Sequence, residues 1–313
     1  MPFKKLLTTG FLFVVLQTTA QSVHSKIEQA QTASQIEQLI YKANKDYTNF
    51  KVSSTLKFAD KRVEQQYRQA HVKAWAKADF DGNGRLDLLV TGTHYDKESK
   101  VICLLDMGGD KLVLEPFDRQ FYRFCPIATI SYQGAQPAID YTDFAKPFLE
   151  IDKLQDKQSF RLIYKYGGFI EYHSRPAKQA LPDSILYESD FAYHDVQEER
   201  LTLTKNGAAT YYSCSYPVLE EANKTYVRQK TQVDAQSLAT IQGLASYLAE
   251  QPLKSRYRIG FNHVPHTTLT IAYHNGQRLH VQDDGEIGTF GLMRLYALLN
   301  QLRKSQVWQP AKL

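Results

Sequence analysis

One ten-residue stretch constrains this chain more than any other: Asp79-Phe80-Asp81-Gly82-Asn83-Gly84-Arg85-Leu86-Asp87-Leu88. With Asp79 at loop position 1, Asp81 falls at 3, Asn83 at 5, Gly84 at 6, Arg85 at 7 and Asp87 at 9. Short polar side chains on alternate residues of a tight turn aim their oxygens inward, and Gly84 permits the bend. Such a cage suits Ca2+, a hard cation that takes about 6–8 oxygens at about 2.3–2.6 Å. The expected ligands are Asp79, Asp81, Asn83 and Asp87, with Arg85 giving its backbone carbonyl while its guanidinium points away. The same residues can instead close the turn on their own backbone, with no ion.

The flanks read as strands. Val72, Ala74, Ala76 and Ala78 alternate with His71, Lys73, Trp75 and Lys77, and Leu86 to Gly92 is a second strand-like run. Position 12 is Val90, where a helical EF-hand places a bidentate Glu, so the loop is not an EF-hand. A D-x-D-G-[DN]-G-x-x-D-[LI] loop between two strands resembles the FG-GAP, or VCBS, repeats of extracellular β-propellers. The resemblance covers about residues 70–115, one blade, and implies Ca2+ held by Asp79, Asp81, Asn83, Asp87 and the Arg85 carbonyl. A propeller needs several blades and the sequence carries one copy of the loop. The expectation is therefore an isolated blade-like meander packed on neighbouring strands.

Residues 1–20 read as a secretory signal peptide: Lys4 and Lys5, an apolar run from Leu6 to Leu16 broken by Thr8, Thr9 and Gly10, then small residues up to Ala20. The run is shorter than the ~20 apolar residues that cross a bilayer as a helix, and no later stretch reaches that length. Removing it leaves 36 basic against 33 acidic side chains, a charge of +3 in place of +5. The expected location is the periplasm or the cell exterior, without a transmembrane segment. Hydrophobic residues at 43% and charged residues at 23% exclude a wholly disordered chain or a coiled coil. The mild positive charge, without a basic cluster, excludes a nucleic-acid binder. Export permits disulfides, but there are only three cysteines. A Cys103–Cys125 bridge and three small buried side chains are both open.

The predicted fold class is α+β. Residues 21–55 form an N-terminal helical segment, with Ile27, Ala30, Ala33, Ile36, Ile40 and Ala43 at helical spacing over 26–48 and Ser34 to Glu37 as a capping box. Residues 56–175 form a β-rich module, with strand-like runs at 86–92, 100–106, 111–115, 126–132, 138–141 and 159–166. Gly167-Gly168 turns the last of these into Phe169–His173. A polar, proline-containing stretch, 174–183, separates this module from an α+β domain at 183–313. There, Asn206-Gly207 and Asn275-Gly276 predict two type I′ hairpins, each followed by a helix, one from Asp234 to Pro252 and one capped by Thr289. With a strand at Tyr257–Phe261 between them, the order is ββα-β-ββα, a possible internal repeat whose helices cover one face of an antiparallel sheet.

The C-terminal part, near Gly260–Trp308, carries Leu269-Thr270-Ile271, Asn275-Gly276, Asp283-Asp284-Gly285-Glu286, a leucine-rich helix and Trp308. It resembles a domain of unknown function found in exported bacterial proteins, but lacks the Cys-x-Gly-x-Cys-Pro segment that family often carries.

Phosphate-binding Gly-rich loops, H-E-x-x-H and G-x-S-x-G are all missing from the sequence. The leading expectation is a calcium-binding, non-enzymatic protein with a protein or glycan partner. The alternative is an exported hydrolase using carboxylates such as Asp284 and Glu286, although acidic groups before a helix also arise from its dipole. His263 and His266 read as a polar loop, Tyr193-His194-Asp195 as a weak base–carboxylate pair, and Tyr211, Tyr212 and Tyr216 as sheet surface or a ligand platform.

Overall fold

The computed structural model describes residues 25–56, 58, 60–95, 98–117, 123–145, 155–174, 180–192, 195–217, 223–259 and 263–311. The expected signal peptide lies outside them. Within them the chain is β-rich, with antiparallel sheets and a few helices.

The N-terminal segment is two helices rather than one: α1 (Lys26–Gln29) and α2 (Ala33–Ala43). The break falls at Thr32. Its hydroxyl accepts from the Gln35 N–H, and the Gln35 side chain accepts from the Thr32 N–H. The capping box therefore uses Thr32 and Gln35, two residues earlier than the sequence suggested. Helix α3 (Lys61–Gln69) stands where the sequence pointed to β-structure. It escaped notice because it buries only Val63 and Tyr67, one turn apart, too little to mark a helical period.

The first sheet holds β1 (Phe50–Val52), β2 (Trp75–Ala78), β3 (Asp87–His94), β4 (Glu98–Asp106) and β5 (Leu112–Pro116). Strands β2 to β5 run as a meander, and β1 pairs with the far end of β3. Side chains alternate across it. Leu88, Val90, Ile102 and Leu104 pack on Ile27, Ile36 and Ile40 of the helices, while Leu89, Val101, Cys103 and Leu105 face a second sheet. A Cβ at Gly92 would lie 2.1 Å from the Lys51 carbonyl oxygen and 2.8 Å from the Phe50 ring. Gly92→Ala should therefore push β1 off β3 and cost about 2 kcal/mol, read as a lower denaturation midpoint.

The second sheet is β6 (Arg123–Gln133), β7 (Gln136–Ala145), β8 (Gln155–Lys165) and β9 (Gly168–Glu171), in that order. The β8–β9 turn is Tyr166-Gly167, both at positive φ, one residue before the expected pair. Residues Ala128, Ile139, Tyr141, Leu162 and Phe169 pack on the first sheet. Ile127 and Phe144 pack on α3, and Ala138, Ile163 and Ile170 join the core of the C-terminal part. Hydrophobic packing thus continues across the 174–183 stretch.

The third sheet contains β10 (Pro182–Ala192), β11 (Asp195–Thr204), β12 (Ala208–Pro217), β13 (Thr225–Gln232), β14 (Arg256–Tyr257), β15 (His266–Tyr273), β16 (Arg278–Asp284) and β17 (Gln309–Pro310). Its order is β14-β16-β15-β10-β11-β12-β13-β17, antiparallel except for β14 beside β16. Strand β10 bridges the two expected hairpins, and β13 adds a strand before α4 (Ala235–Leu248). Helices α4 and α5 (Phe290–Ser305) pack on Ile185, Leu201, Leu203, Leu269 and Ile271 of this sheet. Both hairpins form, but Gly207 and Gly276 alone take positive φ and the loops hold more than two residues. The turns are the longer kind that end on a left-handed glycine, not type I′. Cys103 and Cys214 are buried, and no disulfide joins Cys103 to Cys125.

Candidate metal centre

The Asp79–Asp87 loop joins β2 to β3, whose pairing ends at Ala78 and Asp87. Asp79 closes it: one carboxylate oxygen accepts from the Gly82 and Asn83 N–H groups and the other from Gly84 at 2.8 Å. Gly82 and Gly84 both take positive φ, which is why glycine stands at each. Asp81 accepts from the backbone and side-chain N–H groups of Asn83. Asp87 is fully buried; its two oxygens accept from the Phe80 and Asp106 N–H groups, each at 2.8 Å.

Asp79, Asp81 and Asp87 each bring a carboxylate oxygen within 4.8 Å of the others. Two oxygens on opposite sides of one Ca2+ stand about 4.6–5.2 Å apart, so the spacing fits a shared ion of that size. No cationic side chain pairs with any of the three among the described residues. The loop's own arginine is turned away: Arg85 Nε donates to Asp106 at 2.9 Å. Burial pushes the Asp87 carboxyl up to about 6, against its two N–H donors, and Asp81 and Asp79 push in the same direction. Burial likewise raises Asp81. The residues at hand therefore fit a hard divalent cation: three oxygen donors, converged and without a counter-charge.

Asn83 takes a different part from its neighbours. Its amide oxygen accepts from the Arg85 N–H, and its amide nitrogen donates to Asp81 and to the Asp106 carbonyl. It braces the loop against β4.

Two residues matter here that the spacing did not single out. Phe80 is buried and packs edge-on against Phe169 at 5.6 Å, plugging the loop into the core between the first two sheets. The signal was the aromatic between two aspartates. Asp106, at the end of β4, accepts from Arg85, Ser25 and the Gly108 N–H. Burial opposes its ionisation, yet these donors, Arg85 foremost, hold its carboxyl below the usual range. It is remote in sequence from the loop it supports, and spacing could not reveal it. Beside the loop lies a cavity of about 580 Å³ lined by Lys77, Tyr132, Pro137 and Tyr164 as well as Asp79 and Asp81.

The carboxylates of the hydrolase alternative do not converge. Asp284 accepts from Arg256 at 3.2 Å and stands 2.9 Å from His266 Nδ1, on the sheet face away from the helices. Glu286 accepts from Tyr187 and Thr267 on the other side. Tyr211 lies toward the helices, 5.9 Å from the Trp308 ring, so Tyr211 and Tyr212 do not share a face. Tyr193 and His194 lie outside the described residues.

Comparison of the chain with family models, with curated proteins and with solved structures gave no match.

Proposed function

We propose that this chain is an exported calcium-binding protein that works as a binding module and not as an enzyme. The observation that carries the reading is the convergence of Asp79, Asp81 and Asp87 within 4.8 Å, with no cationic side chain paired to them among the described residues. The strands on either side of the loop support the blade-like reading, since β2 to β5 form one antiparallel meander. A bound ion would neutralise a cluster that burial and mutual repulsion otherwise disfavour. Asp87 would hold it from the core side, Asp79 and Asp81 from the turn, with the Arg85 carbonyl completing the set, while Asn83, expected as a ligand, braces the loop. The export half rests on the order of charged, apolar and small residues in 1–20. No helix among the described residues is long and apolar enough to cross a membrane.

Calorimetric titration of the protein with Ca2+ tests the metal. Wild type should release or absorb heat on binding. Asp81→Ala, which removes a partly exposed side chain, should stay folded and bind at least about tenfold more weakly. Absence of heat in wild type would remove the ion from the account.

A further inference from the structure

We propose that the open face of the third sheet is a docking groove for a basic polypeptide segment, held by Asp190, Glu198 and the Tyr212–Tyr226 pair. One face of this sheet is covered by α4 and α5; the strand registers set out the other. His266, Asp190, Glu198, Cys214 and Tyr226 stand side by side across five strands. The adjoining row is Thr268, Glu188, Arg200, Tyr212 and Arg228. Both rows except Cys214 and Tyr226 line a groove of about 840 Å³, and Tyr226 stands at its edge against Tyr212.

The groove is acidic on a basic chain. Glu188, Asp190 and Glu198 stand on its open face with the guanidinium groups of Arg200 and Arg228, three carboxylates against two cations, while the whole sequence has a formal charge of +5. One of these carboxylates is matched internally: Glu188 pairs with Arg200 at 2.6 Å. Asp190 and Glu198 are not. They face each other directly in the β10–β11 register, both exposed, and neither has an ion pair among the described residues. Like charges opposite each other across an antiparallel pair destabilise it. His266, on the far side of Asp190, is already taken by Asp284. Nothing in the packing of the sheet requires this pair, and an incoming cation relieves it.

The neighbouring aromatics point to the kind of cation. The Tyr212 and Tyr226 rings lie 6.3 Å apart, and Tyr226 is 57% exposed. Such faces attract lysine ammonium and arginine guanidinium groups. The chain makes this contact itself close by, with Lys224 Nζ 4.6 Å from the Tyr216 ring on the same face. Five strands at about 4.8 Å span roughly 19 Å, the reach of about six extended residues. A polypeptide segment carrying two basic side chains matches that length.

Fluorescence anisotropy with a labelled, end-capped hexalysine peptide and the whole chain tests the proposal. Wild type should bind it, more weakly as salt rises. The double variant Asp190→Asn/Glu198→Gln should bind about tenfold more weakly while its unfolding midpoint holds or rises, because the repulsion is gone. Asp81→Ala should leave binding unchanged, which separates this site from the calcium loop. Lack of binding, equal affinity in the double variant, or preference for hexaglutamate or a neutral hexasaccharide would each overturn it. Spermidine binding as tightly as hexalysine would overturn the polypeptide part.

Discussion

Glu171→Ala should lower the stability of the protein by about 3 kcal/mol, the loss of two buried charge-assisted hydrogen bonds at a helix start. Glu171 ends β9 and is 8% exposed. Its carboxylate accepts from the Phe290 N–H at 2.6 Å and from the Gly291 N–H at 2.9 Å. These are the first two N–H groups of α5, and the third, Leu292, is met by Thr289. The first turn of α5 is thus satisfied jointly by its own cap and by a residue 119 positions earlier. The alanine variant leaves two donors without partners in the core and removes a negative charge from the positive end of the helix. Glu171→Gln keeps one oxygen acceptor and should lose roughly half as much. Urea denaturation of the three proteins checks both figures, and equal midpoints would show that water takes over the role.

Asp283 gives the second large effect, and it depends on pH. The side chain is fully buried at the end of β16 and accepts from the Ile287 and Gly288 N–H groups. Burial pushes its carboxyl up to about 6, against those two donors, from an ordinary value of 3.8. The folded state therefore binds a proton more readily than the unfolded one between these values. Stability contributed by this group is greatest below pH 3.8, falls as pH rises to about 6, and is level above. The full fall is about 3 kcal/mol. Asp283→Asn cannot ionise, so its stability should lack this component. Asp87 titrates in the same window, and the difference between wild type and Asp283→Asn isolates Asp283 from it. Denaturation curves from pH 4 to 7 that stay parallel for the two proteins would count against the assignment.

Local chemistry was legible in the sequence and long-range chemistry was not. The caps at Asp234 and Thr289, the strands on both sides of the Asp79 loop and the two Asn-Gly hairpins follow from residues within a few positions of one another. Helix α3 was hidden because two apolar residues make no pattern. The split at Thr32 was hidden because two overlapping cap sequences compete and only packing chooses between them. Within the loop, spacing located Asp79, Asp81 and Asp87. It could not show that Asp106 holds Arg85 and Asn83 from another strand, because that depends on the β3–β4 register. Glu171 carried no signal at all: a single acid ending a strand looks like any surface charge until the helix start arrives against it.

The layering of the sheets also bears on how such a chain can change over time. Ala138, Ile163 and Ile170 share one core with the α4–α5 layer, while Ile139 and Leu162 beside them share another with the first sheet. A volume change in the second sheet is therefore felt on both sides at once, and tolerated replacements there must be rare and paired. The outer face of the third sheet has no such double constraint. Replacements there are constrained only by what the groove binds, so its selectivity can shift without disturbing the interior.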